Sequence, residues 1–248
     1  MGKAGGAYTP PALKTGAKML SLDGYGPQIF AGAVTTVELS LLSLFGSFIL
    51  GLLGASAKLS KSRTLFGIAT AYTTLIRAVP DLVLMLLIFY SLQIWLNDAT
   101  DYFNLDDINL DPFTSGVITL GFIYGAYFTE TFRGAFMAVP KGQMEAARAF
   151  GMKPMHAFRR ILFPQMMRYA LPGLANNWQV ILKSTALVSL IGLTDVVKAA
   201  QNAGEGTFRT FFFTSIAGLI YLILSSISKV VQYYLTRRFS AGVRQVVF

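Results

Sequence analysis

The sequence predicts an all-α integral membrane protein with about five transmembrane helices. Three observations carry that expectation. Hydrophobic residues make up 54% of the 248 residues and charged ones only 13%, roughly half the charged share of an ordinary soluble domain. Apolar runs of about 20 residues, the length a bilayer demands of a helix, recur along the chain. Basic residues gather in the short segments between those runs, where they set orientation. The net charge of +9 is thereby accounted for by topology, and no nucleic-acid partner is expected. The sequence has no cysteine, which excludes disulfides and thiolate metal sites. With His156 as its single histidine, it also lacks the side chains for a hydrolytic constellation, so a membrane enzyme is not expected.

Residues 1–27 are rich in Gly and Pro and contain no continuous apolar core. They read as a flexible tail without a signal for cleavage, and Gly6 stands where a myristoylation signal needs Ser or Thr. The remainder, 28–248, reads as a single transmembrane domain, since neither a linker nor an internal repeat divides it. Five runs are expected to span, at 29–57, 80–96, 113–139, 171–197 and 208–235. Segment 64–76 is only moderately apolar and is followed by Pro80, whose ring disfavours helical geometry in Val79, so it is expected as a separate interfacial helix.

Orientation follows from the distribution of Lys and Arg, which favour cytoplasmic loops. The first loop carries Lys58, Lys61 and Arg63, whereas residues 98–111, Asp106 among them, carry no basic residue. The loop at 140–170 carries Lys141, Arg148, Lys153, Arg159, Arg160 and Arg168, and the C-terminus adds Arg237, Arg238 and Arg244. The pattern alternates in, out, in, with a cytoplasmic C-terminus and a periplasmic N-terminus. Lys3, Lys14 and Lys18 oppose it but are outvoted.

Within 140–170, Met144, Ala147 and Phe150 recur at helical spacing, and Glu145 and Arg148 form an i,i+3 pair. Gly151 suits the left-handed position that stops a helix, and Pro154 suits the first position of a second helix. The apolar side of that second helix would be Met155, Phe158, Ile161 and Leu162, with Pro164 ending it. Two short amphipathic helices joined at a fixed bend result. Their spacing admits either a lever for a partner protein or a helix pair resting on lipid headgroups.

Glu145-Ala146-Ala147, then Gly151, then Ile161 and Pro164 at the same intervals, resembles the EAA loop of bacterial ABC importer permeases, with Phe163 where the family pattern has Leu. "IRAVP" (76–80), "YFTETFRGAF" (127–136) and "LKSTALVSLIGLTDVV" (182–197) resemble signatures of the polar amino-acid subfamily, in its histidine/lysine-arginine-ornithine branch. Asp81 stands where that subfamily is usually apolar, and Ser184 where Asp usually follows the lysine. The resemblance implies the type I importer permease (MetI-like) fold. It also implies a sister permease, a periplasmic solute-binding protein, surrounding membrane lipid, and a cytoplasmic ATPase dimer that binds ATP and Mg. Coupling to that ATPase would run through Glu145, Ala146, Ala147, Gly151, Ile161 and Pro164. The cargo implied is a polar, basic amino acid; octopine and nopaline permeases share much of the pattern. The chain contains no G-x-x-x-x-G-K-[ST] motif, so energy must come from another subunit and no cofactor is expected here. A secondary transporter or channel is the alternative class, but the break at Pro80 has no repeated counterpart.

A charge near the bilayer centre costs about 3 kcal/mol on insertion scales, so Glu38, Asp81, Glu130, Arg133 and Lys183 need partners or roles. Glu130 and Arg133 are spaced to pair with each other, and Lys183 can snorkel or pair with an acid. Asp81, Glu38 and Asp195 are the candidates for a substrate path. Against this, Asp81 could simply face the positive end of its own helix, and Glu38 could be a packing partner. The aromatic runs at 207–213 and 232–238 read as interface belts, and His156 as a surface residue.

Overall fold

The computed structural model describes residues 22–103, 106 and 109–239. Most of the expected tail, including its lysines, and the end of the chain beyond Phe239, with Arg244, lie outside the described residues. Helix α1 (Gly26–Leu59) begins inside the segment read as tail. Pro27 sits in its first turn, where a missing N–H leaves no bond unmade. Helix α2 (Arg63–Ala78) starts at Ser62, whose hydroxyl accepts from Leu65 N, and stops where Val79 turns extended ahead of Pro80. Helix α3 (Asp81–Phe103) follows at once. Helix α4 (Pro112–Ala138) is capped by Asp111, whose carboxylate accepts from Thr114 N at 3.0 Å. Hydrogen bonds from the Thr114 side chain and backbone hold the Asp111 pKa below its usual range.

A short helix α5 (Lys141–Ala149) leads to α6 (Pro154–Ala157). The expected second loop helix does not end at Pro164. A π-helical turn (Phe158–Leu162) carries the chain into α7 (Phe163–Val188), with Phe163 N bonded to Phe158 O. The wider turn accommodates a proline that lacks an N–H and would otherwise press on the carbonyl one turn earlier. The expected fourth span at 171–197 is likewise not one straight helix. A 3₁₀ turn (Ser189–Ile191) and Gly192, at φ +97°, break it before α8 (Val196–Thr207). Helix α9 (Thr210–Phe239) closes the fold.

Among the described residues three helices, α1, α3 and α9, are long and apolar enough to cross a membrane, and the pair Pro154–Ile191 and Val196–Thr207, bent by 52°, forms a fourth candidate. Helix α4, 27 residues long, corresponds to the remaining expected run. At 1.5 Å per residue it is about 40 Å long, enough to span, yet it does not reach the apolar character that marks α1, α3 and α9. The reason is its position. Helices α1, α2, α3 and α7 all pack on it, so protein rather than lipid surrounds it, and small or polar residues are tolerated on its faces. Ser115, Gly116, Thr119, Gly121, Gly125 and Thr129 are all buried there. Helix α2, expected at the interface, instead packs on α1 and α4, burying Ala69, Thr73 and Ile76. The Tyr72 hydroxyl donates to Phe122 O at 2.5 Å.

Helices α1 and α4 approach closely because glycine lines their contact. A side-chain carbon added at Gly46 would lie 3.8 Å from Gly121 Cα, and one at Gly51 would come within 2.4 Å of Phe128 Cβ. Ser47 Oγ donates to Ser43 O at 2.7 Å and lies 3.2 Å from Gly121 O, a polar link across the crossing. The main apolar core surrounds this crossing, with Leu39, Met85, Tyr124, Phe128, Phe132 and Met166 in it. A second cluster forms where Ile29 meets α8 and α9 around Val196, Ala203 and Phe213.

Gly51→Ala is therefore expected to destabilise the protein by about 1–3 kcal/mol, the usual cost of overpacking a tight core. Gly134→Ala, where a side-chain carbon meets nothing within 4 Å, is expected to be neutral or to stabilise by up to about 1 kcal/mol. Thermal unfolding of the two variants in one detergent compares them directly.

Candidate functional site

The break at Pro80 places Asp81 at the start of α3, half-buried against α4. Its carboxylate accepts from the Tyr124 hydroxyl at 2.8 Å and, with the other oxygen, from Tyr127 at 3.4 Å. The Tyr124 hydroxyl also lies 2.5 Å from Ser184 Oγ on α7. One phenol therefore ties α3, α4 and α7 together. Asp81 and Ser184, both read from sequence as departures from the pattern of the resembled subfamily, meet on that single hydroxyl. Sequence reasoning treated them separately, because nothing local links residues 81, 124 and 184. On the other side of the break, the Arg77 guanidinium lies over the Tyr127 ring, 5.6 Å from its centre.

Two turns along α4 lies a second polar group. Arg133 donates to Glu130 Oε2 through Nε at 2.9 Å, with its NH2 also 2.9 Å away, so the i,i+3 pair expected from spacing forms. A third member was not anticipated. Lys58, read from sequence as a loop charge marking topology, turns inward from the last turn of α1. Its Nζ pairs with Glu130 and donates to Thr73 Oγ1 at 2.6 Å. Only 8% of its side chain is exposed. This network forms one wall of a cleft of about 540 Å³, whose other wall is α2, with Thr70, Thr73, Thr74 and Arg77.

The other two substrate-path candidates lie elsewhere. Asp195 is fully buried and sits at the start of α8 rather than at the end of a span. Its Oδ1 accepts from Lys198 N at 2.9 Å, and Tyr221 reaches Oδ2 at 3.5 Å. Glu38 occupies the exposed face of α1 with no polar partner among the described residues, and Lys183 is exposed on α7 in the same way. His156 is exposed, as expected.

The loop at 140–170 is rigid at its bend. Helix α5 ends with Gly151 N bonded to Arg148 O at 2.9 Å and Met152 N to Ala147 O at 3.0 Å, the paired bonds of a Schellman stop. Gly151 has φ +71° and open space around its α-carbon. Conformation, not room, is what this position asks of its residue. Ala147 is buried and Met144 half-buried, while Glu145, Ala146 and Arg148 are exposed. Ile161 is half-buried and Pro164 exposed. Phe150 and Met155 belong to the apolar spacing of the two loop helices. Phe150 is 87% exposed and Met155 69%, because Phe150 is the capping residue and Met155 lies in the first turn after the bend. Exposed large apolar groups on a charged loop have the character of an anchor for another protein.

Residues 47–241 match the family model described as "Binding-protein-dependent transport system inner membrane component". The histidine/lysine/arginine/ornithine transport system permease protein HisQ of Salmonella typhimurium is 60% identical over 224 residues, covering 90% of this chain and 98% of that one. The nopaline transport system permease protein NocQ of Agrobacterium fabrum is 40% identical over 207 residues, covering 83% and 88%. Among solved structures, a chain of an amino acid ABC transporter crystallised with histidines superposes with a TM-score of 0.74 at 32% identity, covering 89% of this chain and 98% of that one.

Proposed function

This chain belongs to the family of binding-protein-dependent transport system inner membrane components, and from that premise we propose that it is the permease subunit of an ATP-driven importer for basic amino acids. Histidine, arginine, lysine and ornithine are the cargo class. One observation carries the choice of class: identity is 60% to the relative named for those four amino acids and 40% to the one named for nopaline. Reconstituted complex is expected to accumulate labelled arginine, lysine and histidine on ATP addition; accumulation of an opine in their place would overturn the choice.

In this reading the permease pairs with a sister permease, receives cargo from a periplasmic solute-binding protein, and rests on a cytoplasmic ATPase dimer that binds ATP and Mg. The loop of α5 and α6 seats on that ATPase. Glu145, Ala146, Phe150, Met155 and Pro164 face outward for this purpose, with Ala147 and Ile161 fixing the loop on its own domain. Gly151→Val is expected to strain a left-handed residue by about 1–2 kcal/mol and to uncouple ATP hydrolysis from uptake while the chain still inserts. Normal uptake by that variant would count against the lever.

In this reading Lys61 and Lys153 are cytoplasmic with the C-terminus, and Asp106 and the N-terminus periplasmic, which the distribution of basic residues supports. Single cysteines at 61, 106 and 153, in a chain with none of its own, make this measurable with a membrane-impermeant thiol reagent. Only position 106 should label in intact spheroplasts, and labelling at 153 would reverse the map.

Asp81, Glu38 and Asp195 are proposed to lie along the path, with Asp81 contributing charge selectivity. A carboxylate beside a cationic side chain in a partly wet cavity gains on the order of 1 kcal/mol or more over a neutral neighbour. Asp81→Asn is expected to cut arginine and lysine uptake roughly fivefold or more, and to spare histidine above its pKa of roughly 6.5. If Asp81 acted only at the helix start, Asn would serve as well and every cargo would be unaffected.

A further inference from the structure

Helices α1, α4, α7 and α9 line an open groove of about 660 Å³. Its wall on α7 runs from Met167, near the loop, to Trp178 at the middle of the helix. That stretch is about 16 Å long, close to half of the roughly 30 Å hydrocarbon core of a bilayer. No charged residue lines the groove. Two of its polar side chains are already engaged: Ser228 Oγ donates to Leu224 O at 2.8 Å, and Gln232 Nε2 to Ala175 O at 3.2 Å.

The mouth of the groove is basic. Helices α7 and α9 run antiparallel, since Gln179 bonds to Ser225 O and Gln232 to Ala175 O. Arg168 lies two turns before Ala175 and Arg238 nearly two turns after Gln232, so both stand at the loop end, at about the same level. Each continues a row of lining residues at helical spacing. Leu171 and Ala175 follow Arg168 by three and seven positions, and Leu235 and Val231 precede Arg238 by three and seven. Arg168 is half-buried, its Nε is covered without a hydrogen-bond partner, and neither arginine pairs with a carboxylate among the described residues. The acids on these four helices are Glu38, at the far half of α1, and Glu130, held by Lys58 and Arg133. A guanidinium partly withdrawn from water with no counter-charge is relieved by an anion beside it.

We propose that the groove binds one anionic phospholipid, its acyl chain along Leu171, Trp178 and Ile227 and its phosphate between Arg168 and Arg238. With the loop at 140–170 in the cytoplasm, the lipid belongs to the inner leaflet, whose depth the groove matches. A transmembrane helix of that length, about 10 Å across, occupies on the order of 1,200 Å³, nearly twice the room, so a helix of a sister permease could lie over the groove but not in it. Basic groups beside an apolar cleft between spans are the arrangement that recognises anionic headgroups.

Trp178 reports on the site directly. The assembled permease–ATPase complex is placed in nanodiscs of phosphatidylcholine containing a rising fraction of brominated-chain phosphatidylglycerol or brominated-chain phosphatidylcholine, and quenching of Trp178 is read as the difference from Trp178→Phe. Half-quenching should need about tenfold less phosphatidylglycerol than phosphatidylcholine, each arginine contributing roughly fivefold. Arg168→Gln with Arg238→Gln should bring the two curves together at the phosphatidylcholine value, whereas the lysine pair at the same positions should keep them apart. Trp95, exposed on α3 and read by the same difference with Trp95→Phe, should show no headgroup preference. Equal curves in the unaltered complex, or the same preference at Trp95, overturn the site and leave the arginines as ordinary topological anchors. A preference that survives in the glutamine pair also overturns it, as does a Trp178 that neither lipid quenches, which would mean that protein covers the groove. If the glutamine pair does not assemble, the curves of the unaltered complex and of the lysine pair decide.

Discussion

The close crossing of α1 and α4 is the constraint on which the rest of the structure depends. Glycine at 46, 51 and 121 lets the two backbones approach until a methyl group would not fit between Gly51 and Phe128. In a membrane, lipid is as apolar as any side chain, so helices gain from such close packing rather than from hiding apolar surface. With α1 seated, α4 is enclosed by its neighbours and can carry groups that lipid would not accept. Tyr124, Tyr127, Glu130 and Arg133 follow at intervals of three, a row that winds about halfway round the helix. At 1.5 Å per residue that places a polar group about every 4.5 Å. The tyrosine pair engages the Pro80 break, and the acid and arginine engage Lys58. What look like two separate clusters are successive levels of one helix.

The same enclosure gives the loop its connection to the interior. From Pro154 to Val188 the chain is helical without interruption, the π turn absorbing Pro164 on the way. The outer part of the loop and Ser184 therefore belong to one rod, and Ser184 touches the hydroxyl that holds Asp81. At the other end of the loop the Schellman stop fixes the angle between α5 and that rod. A partner that displaced the loop would act on the Tyr124 junction through covalent helix and one hydrogen bond.

The second apolar cluster shows how a buried charge can be structural. Asp195 lies at the start of α8, where a carboxylate accepts free backbone N–H groups and meets the positive end of the helix dipole. Gly32 brings α1 against its backbone; a side-chain carbon there would lie 2.7 Å from Asp195 O. Thr36 Oγ1 accepts from Val196 N at 3.3 Å. The bend after α7 is held by these contacts, which explains why a run that reads as one continuous span divides into two helices.

The sequence by itself determined what depends on neighbouring residues. Apolar runs located the helices, the Val79–Pro80 pair located the break, Gly151 and Pro154 fixed the bend, and the i,i+3 interval paired Glu130 with Arg133. The motif at 145–164 identified the loop. Each is a consequence of backbone geometry or of spacing on one helix, and each is set within a few turns of chain. The tertiary structure alone decided which faces meet. It turned Lys58 from a loop marker into a member of the Glu130 network, brought Asp81, Tyr124 and Ser184 onto one hydroxyl, exposed Phe150 and Met155, buried Asp195, and made a helix rich in small and polar residues the central one. Those outcomes depend on contacts between residues dozens to well over a hundred positions apart, and on how closely backbones can approach, which hydropathy and local spacing do not encode.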